Sequence, residues 1–480
     1  MPSEKHNILA QTRPKYAGSL QDVSGVLAAL MIGALVVGQL TDSFVPFAPY
    51  LTWIAALAAV SLALVRIGSI QPIAQIFAVG ACLVAAAIVV LRPEAIPDMK
   101  RALFQGTAFS AFLTSLGLIR APVRASHVIR VAAARLFAYP PKLQNAAMTF
   151  GAQALSVLFN IGTIGMMSDI ASDHASRTPH VHRTTTNLTT VTLAALRGTI
   201  MMTVWNPIGV GFAIVTSAIP ALDPVKFLGL SFLAAALVSF GGVIVFRSEA
   251  QEKSQIDHPV EPNGSGDRAL LAILVAVATM IALTLVLHRL LDVSFLVAAC
   301  LVLPLLAALW PYFEPSIRTD APRKPVEILG EASASMANEA TIFLAAAVIG
   351  SGVTIVLSDF GLVEQIENGA LPMLAIILAC LIFVPVAGAL MIPHSIVMIM
   401  AAQLLGSGPV GQAHPYALAL SLCLAWAMAI SASPISAMSI ITARSLGISP
   451  TRVTFTLNRG FTLYGLLVAT VLITLTYILE

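Results

Sequence analysis

The chain has 480 residues, of which 58% are hydrophobic and 10% charged, with a formal net charge of +3. A soluble domain covers its surface with about a quarter charged residues, so this composition excludes a water-soluble fold, and so small a net charge excludes nucleic acid as a partner. Aromatic residues make up 7%, so the apolar excess is aliphatic, as lipid-facing helices require.

The polar residues 1–22, with Lys5, Arg13 and Lys15 and no cleavage site after a short apolar core, read as a cytoplasmic tail. Apolar runs at 23–41, 47–66, 72–92 and 102–119 then predict four helices. The basic stretch 120–142 contains HVIRVAAARLFAYP, which predicts an amphipathic helix lying against anionic headgroups. An apolar run at 146–169 is interrupted by Asn160 and Gly162. After a polar loop with three histidines, a long run at 188–220 is broken at Pro207, and a helix at 225–247 closes the first half. Residues 248–267 are charged and rich in Pro, Gly and Ser, which marks a linker between halves 23–247 and 268–480.

The second half predicts helices at 268–288 and 293–313, then a run at 336–359 interrupted by Gly350 and Gly352. Further runs lie at 371–392 and, after Pro393-His394, at 395–406; a long run at 415–445 is broken at Pro434, and a last helix covers 460–479. The expected fold is therefore an all-α polytopic membrane protein with about 10–13 transmembrane segments. Two stretches pair between the halves: VLFNIGTIGMMSD (157–169) with AVIGSGVTIVLSD (347–359), and NPIGVGFAIVT (206–216) with SPISAMSIIT (433–442). They predict two structural repeats, in parallel or inverted orientation. Arg66, Arg120, Arg124, Arg130, Arg135 and Lys142 fall on the same side as the N-terminus, the cytoplasmic side by the charge rule.

The chemistry is expected at the interruptions. Proline removes a backbone donor, and freed backbone groups at membrane depth must line a wet cavity or find partners. Asn206-Pro207 and Ser433-Pro434 each predict a half-helix N-terminus, which favours an anion. Asn160, Gly162 and Thr163 in one half, and Ser351, Gly352 and Thr354 in the other, predict the tips of re-entrant hairpins; close packing through small residues is the competing reading. Arg197 is an arginine inside the first broken run and is expected to face the anion. His394 is a candidate proton relay. His180 and His182 lack a Cys or acidic partner at useful spacing, and Cys82, Cys300, Cys380 and Cys423 are scattered, so no metal is expected. No phosphate loop, nucleophile elbow, HExxH or haem-type CxxCH occurs, so neither a cofactor nor enzymatic activity is expected.

At these breaks and hairpin candidates the sequence resembles the ion transporter superfamily, which includes arsenite/sodium-proton permeases and dicarboxylate–sodium symporters. The resemblance implies two repeats, each with a re-entrant hairpin and a discontinuous helix, and a substrate held between Asn160, Gly162, Thr163, Asn206 and Pro207 of one half and Ser351, Gly352, Thr354, Ser433 and Pro434 of the other. The expected function is secondary transport of a small-molecule or inorganic anion across the inner or plasma membrane, coupled to a proton or sodium ion. The expected partners are that anion, the coupling ion, the lipid bilayer and a second copy of the chain in a homodimer. The alternatives are a membrane-embedded enzyme for a lipid-linked substrate, or a channel or partner subunit.

Overall fold

The computed structural model describes residues 15–42, 44–160, 162–176, 181–246, 264–314, 323–359, 361, 365 and 371–480, and its described elements are all helical. Residues 248–263 of the expected linker, and the side chains of His180 and His182, lie outside the described residues, while 264–267 begin a helix. Eleven helices are long and apolar enough to cross a membrane. The fold is the expected polytopic α-helical membrane protein.

The first half contains α1 (Lys15–Thr41), α2 (Ala48–Arg66), α3 (Pro72–Leu91), α4 (Ile96–Ala125) and α5 (His127–Phe137). It continues with α6 (Pro141–Phe159), α7 (Gly162–Ser176), α8 (Val181–Trp205), α9 (Val210–Ala218) and α10 (Pro224–Val245). The second contains α11 (Gly264–Leu291), α12 (Phe295–Phe313), α13 (Pro325–Ser335), α14 (Ala337–Asp359) and α15 (Met373–Ala389). It ends with α16 (His394–Gly406), α17 (Pro415–Ala432), α18 (Ala437–Leu446) and α19 (Arg459–Leu479). Lipid-length apolar runs explain the long members; proline at the first turn starts several of them, where its missing N–H costs nothing.

Polar contacts sort the helix ends onto two sides. On the first side, Arg66 Nη2 at the end of α2 donates to the Gly330 carbonyl (3.1 Å), and Arg120 Nη1 near the end of α4 donates to that of Ser335 (3.4 Å). The Glu314 carboxylate after α12 accepts from Ser126 Oγ (2.6 Å), from the His127 N–H and from the Val128 N–H (3.2 Å), so it caps α5 from another part of the chain. Arg135 at the end of α5 pairs with Asp267 at the start of α11 (2.7 Å). On the opposite side, Asp223 before α10 pairs with Arg289 in the last turn of α11 (3.0 Å), and Gln105 near the start of α4 reaches Ser217 at the end of α9 (3.2 Å).

Those sides fix the orientation of two hairpins. The pair α6–α7 enters and leaves on the first side, because α5 precedes it and α8–α9 then crosses to the second. The pair α15–α16 enters and leaves on the second side, where α14 ends and where Gly406 at the end of α16 packs on the Ala218 backbone. The packing partners repeat as well. Hairpin helix α6 runs along α8 and touches α10, and α15 runs along α17 and touches α19. The outer half-helices exchange partners: α9 packs on α16, and α18 packs on α7. The two units are thus inverted relative to each other.

One expected hairpin is corrected. Ser351, Gly352 and Thr354 lie within α14, which runs without interruption from Ala337 to Asp359. Gly350 lets the Gln403 side chain of α16 approach, Gly352 does the same for Val84 of α3, and Thr354 Oγ1 donates to the Gly350 carbonyl (2.9 Å). These small residues serve helix packing. The second hairpin turn is Leu390–Pro393, with Met391 at φ 62°, the counterpart of Asn160 at φ 51° in the first. The Ile392 N–H returns to the Ala387 carbonyl (2.9 Å), closing the end of α15. The pairing of 157–169 with 347–359 fails accordingly, whereas that of the two proline breaks holds.

Burial alone would push the Glu314 carboxyl up, but the hydrogen bonds from Ser126, Val128 and His127 outweigh it and hold it below the usual carboxylate range. A carboxylate with a lowered pKa stabilises the fold above its unfolded value of about 4.3 and loses that contribution as the pH falls through the folded value. Glu314→Gln is expected to lower the thermal unfolding temperature at neutral pH, at a cost of about 1–3 kcal/mol. The difference from wild type should begin to shrink near the unfolded value of about pH 4.3 and vanish only once the pH has fallen below the lowered folded value; unfolding curves of detergent-purified protein across pH check both.

Candidate functional site: a cavity between hairpin tips and helix breaks

The two breaks have the same local construction. In the first, α8 ends at Trp205 and the Gly209 N–H returns to the Asn206 carbonyl (2.8 Å) around Pro207. In the second, α17 ends at Ala432 and the Ser436 N–H returns to the Ser433 carbonyl (3.2 Å) around Pro434. Asn206 Oδ1 also accepts from the Ile208 N–H (3.1 Å). Each turn therefore consumes one backbone pair that proline would otherwise strand.

The half-helices that follow differ in their caps. Ser436 Oγ accepts from the Ser439 N–H (3.2 Å) and closes the start of α18. Gly209 before α9 has no side chain to do so, and Pro393 before α16 supplies none. The first turns of α9 and α16 thus keep donors and a positive dipole end with no side-chain acceptor from their caps.

A cavity of about 240 Å³ lies where these parts meet. Asn160 of the first hairpin turn, Asn206, Gly209 and Val210 of the first break, His394 and Ser395 of the second hairpin, and Ser436 of the second break all line it. Arg120 of α4 and Glu339 of α14 form its charged wall, and Leu113, Leu116, Met202, Phe343, Trp426 and Met438 contribute apolar surface. The His394 ring stands edge-on to Trp426, with centroids 5.0 Å apart, and its Nδ1 is buried without a partner.

The other expected site residues are placed as follows. Pro207 and Pro434 are buried inside their turns. Gly162 packs under the Phe159 ring. Thr163 and Ser433 are fully buried with unpartnered hydroxyls, near the cavity in sequence but outside its lining. Ser351, Gly352 and Thr354 lie in α14 and are not part of it. Arg197 also turns away. Its Nε donates to Asn458 Oδ1 (3.1 Å), and its guanidinium carbon lies 4.8 Å from the Phe246 ring centre and 5.4 Å from that of Phe461. Asn458 in turn donates to Ser431 Oγ (2.7 Å), two residues before the second break. The expected anion at Arg197 is replaced by a carbonyl and two aromatic faces, which offset the cost of the charge.

Glu339, Ser436 and Trp426 are not among the site residues expected from the sequence, and Arg120 is expected there only as an orienting charge. Arg120 and Glu339 sit at the edges of apolar runs, where charges ordinarily anchor a helix to the interface. Their opposite signs at the end of one run and the start of another were the available signal.

No family model and no characterised protein sequence matches the chain. Solved structures do. The YdaH transporter of Alcanivorax borkumensis, described as having an unusual topology, matches with a TM-score of 0.52 at 14% identity, over 78% of this chain and 86% of that one. MtrF of Neisseria gonorrhoeae, described as illuminating a class of antimetabolite efflux pumps, matches with a TM-score of 0.52 at 14% identity, over 80% and 84%. The chain shares the fold of these transporters.

Arg197→Ala is expected to destabilise the protein by about 2 kcal/mol or more, losing one charge-assisted hydrogen bond and two cation–π contacts. Arg197→Lys, which keeps the charge over the rings but lacks the Nε donor, should recover part of that loss. Thermal unfolding of the two purified variants beside wild type measures it.

Proposed function

We propose that the protein is a secondary transporter of a small anionic solute, driven by a proton or sodium gradient. One observation carries the reading: the turn of one hairpin, the start of α16 in the oppositely oriented hairpin and the breaks of two helices meet at a single cavity. Non-helical backbone at membrane depth is tolerated where it lines such a space, and paired discontinuous helices mark a transporter's binding site. The uncapped starts of α9 and α16, with Arg120 beside them, favour a negative group. The resemblance to the ion transporter superfamily at the two breaks, and the transporter fold shared with the two solved neighbours, support the same reading.

In this reading Asn160 and Asn206 donate to the solute, Ser436, whose hydroxyl donates to the Ile430 carbonyl (3.0 Å), holds the second break in place, the apolar wall holds the body of the solute, and His394, whose buried Nδ1 has no partner, relays a proton. Gly162, Thr163, Pro207, Ser433 and Pro434 shape the backbone around it. The side bearing Arg66, Arg120, Arg124 and Arg135 is the cytoplasmic one by the charge rule, and the N-terminus lies with it in the cell membrane.

The test is uptake by proteoliposomes of labelled succinate, glutamate, phosphate and sulfate, with imposed proton or sodium gradients. Saturable, gradient-driven accumulation of at least one is expected. A methyl at Gly209 would meet the Asn206 carbonyl at 2.8 Å and disturb the turn beside the α9 amides, so Gly209→Ala should reduce that uptake roughly tenfold, equivalent to about 1.4 kcal/mol of binding. Absence of uptake of every anion by folded wild-type protein would refute the proposal.

A further inference from the structure

The cavity holds one full positive and one full negative charge, Arg120 and Glu339, and they do not neutralise each other by contact. Glu339 attracts Arg120 across the space between them, while the guanidinium spends a hydrogen bond on the Ser335 carbonyl at the end of α13. Glu339 sits in the first turn of α14. Among the described residues its carboxylate has no hydrogen-bond donor.

The surroundings leave Arg120 as its main counter-charge. Helix α4 offers Arg120 and Arg124, and α2 offers Arg66, which is bound to the Gly330 carbonyl. Helix α13 offers Glu327 and Glu331, the latter paired with Arg323. Helix α16 offers His394, and α3 carries no acidic or basic residue.

Resting on the proposed transport of an anion, we infer that Glu339 is the coupling carboxylate and that the protein carries its solute together with a proton. Before an anion binds, the attraction of Arg120 is spent on Glu339. An anionic group entering beside Arg120 takes over its attraction and repels the Glu339 carboxylate across a space of only about 240 Å³. Arg120 can balance one negative charge, so the second is removed by protonating Glu339. Two like charges within one small, partly desolvated site raise each other's cost enough to change proton affinity on the order of tenfold or more. Linkage makes the effect reciprocal: the proton strengthens anion binding by the same factor. When the anion leaves, Arg120 again favours the ionised carboxylate and the proton is released with it. No bond other than O–H forms or breaks.

The experiment uses full-length protein in sodium-free proteoliposomes containing a trapped pH-sensitive dye, with labelled succinate, glutamate, phosphate or sulfate added outside. The readout is the ratio of protons to anions entering. Wild type is expected to acidify the interior in proportion to uptake. In Glu339→Gln, labelled anion should still exchange against trapped unlabelled anion, but the proton-to-anion ratio should fall roughly tenfold or more. Glu339→Asp, which keeps a titratable carboxylate, should restore proton flux and covers the case of a Gln variant that fails to fold. A Glu339→Gln protein with the wild-type ratio overturns the inference, as does wild-type uptake that requires sodium and moves no protons. Loss of exchange together with proton flux in folded Glu339→Gln also overturns it, since Glu339 would then bind solute without coupling. Failure of wild type to take up any of the four anions sinks the transport reading instead.

Discussion

Lipid offers no hydrogen bonds, so each backbone N–H and C=O that leaves a helix at membrane depth must be satisfied within the protein or by what fills a cavity. Four places in this chain meet that demand: the turns at Asn160 and Met391, and the breaks at Pro207 and Pro434. Each disposes of part of the problem locally. The Gly209 and Ser436 amides return to the carbonyls three residues before them, and the Ile392 amide closes the end of α15. The donors at the starts of α9 and α16 gain no such closure from Gly209 or Pro393. Stranding them in hydrocarbon would cost several kcal/mol per group, so Asn160, both helix breaks and the start of α16 are gathered around one space. The cavity is where the cost of interrupting the helices is met.

The surrounding helices supply the rigidity this arrangement needs. Arg66, Arg120 and Glu314 each reach from one part of the chain to backbone groups in another, and all three act on the first side around α5 and α13. The close approach of Gly117 to Ala332 and of Gly25 to Val326 sets α4 and α1 directly against α13. Long helices held at their ends by charge-assisted bonds fix the wall that carries Arg120 and Glu339.

How legible these features were depended on whether they left a chemical trace in the sequence. The spans were readable because lipid demands long apolar runs. The breaks were readable because Asn-Pro and Ser-Pro are rare inside such runs and occurred in matching places. The first hairpin showed itself through Asn160, a residue that tolerates positive φ. The second did not: its turn, Leu390-Met391-Ile392, is apolar and places a methionine at φ 62°, so only the following Pro393-His394 hinted at it. Gly350 and Gly352 drew the assignment to α14 instead, because close packing and chain reversal both use glycine. Arg197 misled for a related reason. Its missing carboxylate suggested an anion, but Phe246, Phe461 and Asn458 are distant in sequence and supply the partner only after folding.

The resulting electrostatics separate two arginines that look alike in the sequence. Arg197 is committed: its Nε, both aromatic faces and the Asn458–Ser431 link tie α8 to α19 and to the segment just before the second break. None of its partners Phe246, Phe461, Asn458 and Ser431 lines the cavity. Arg120 has one weak carbonyl contact at 3.4 Å, lines the cavity together with Glu339 and is attracted by it without an ion pair. Its balance of attraction is therefore the one a bound anion can alter. A charge that stabilises a fold is best fully paired, whereas a charge that senses a ligand must keep part of its field unspent. By that criterion the responsive charge belongs to Arg120 and Glu339, and Arg197 belongs to the frame that holds the broken helices in place.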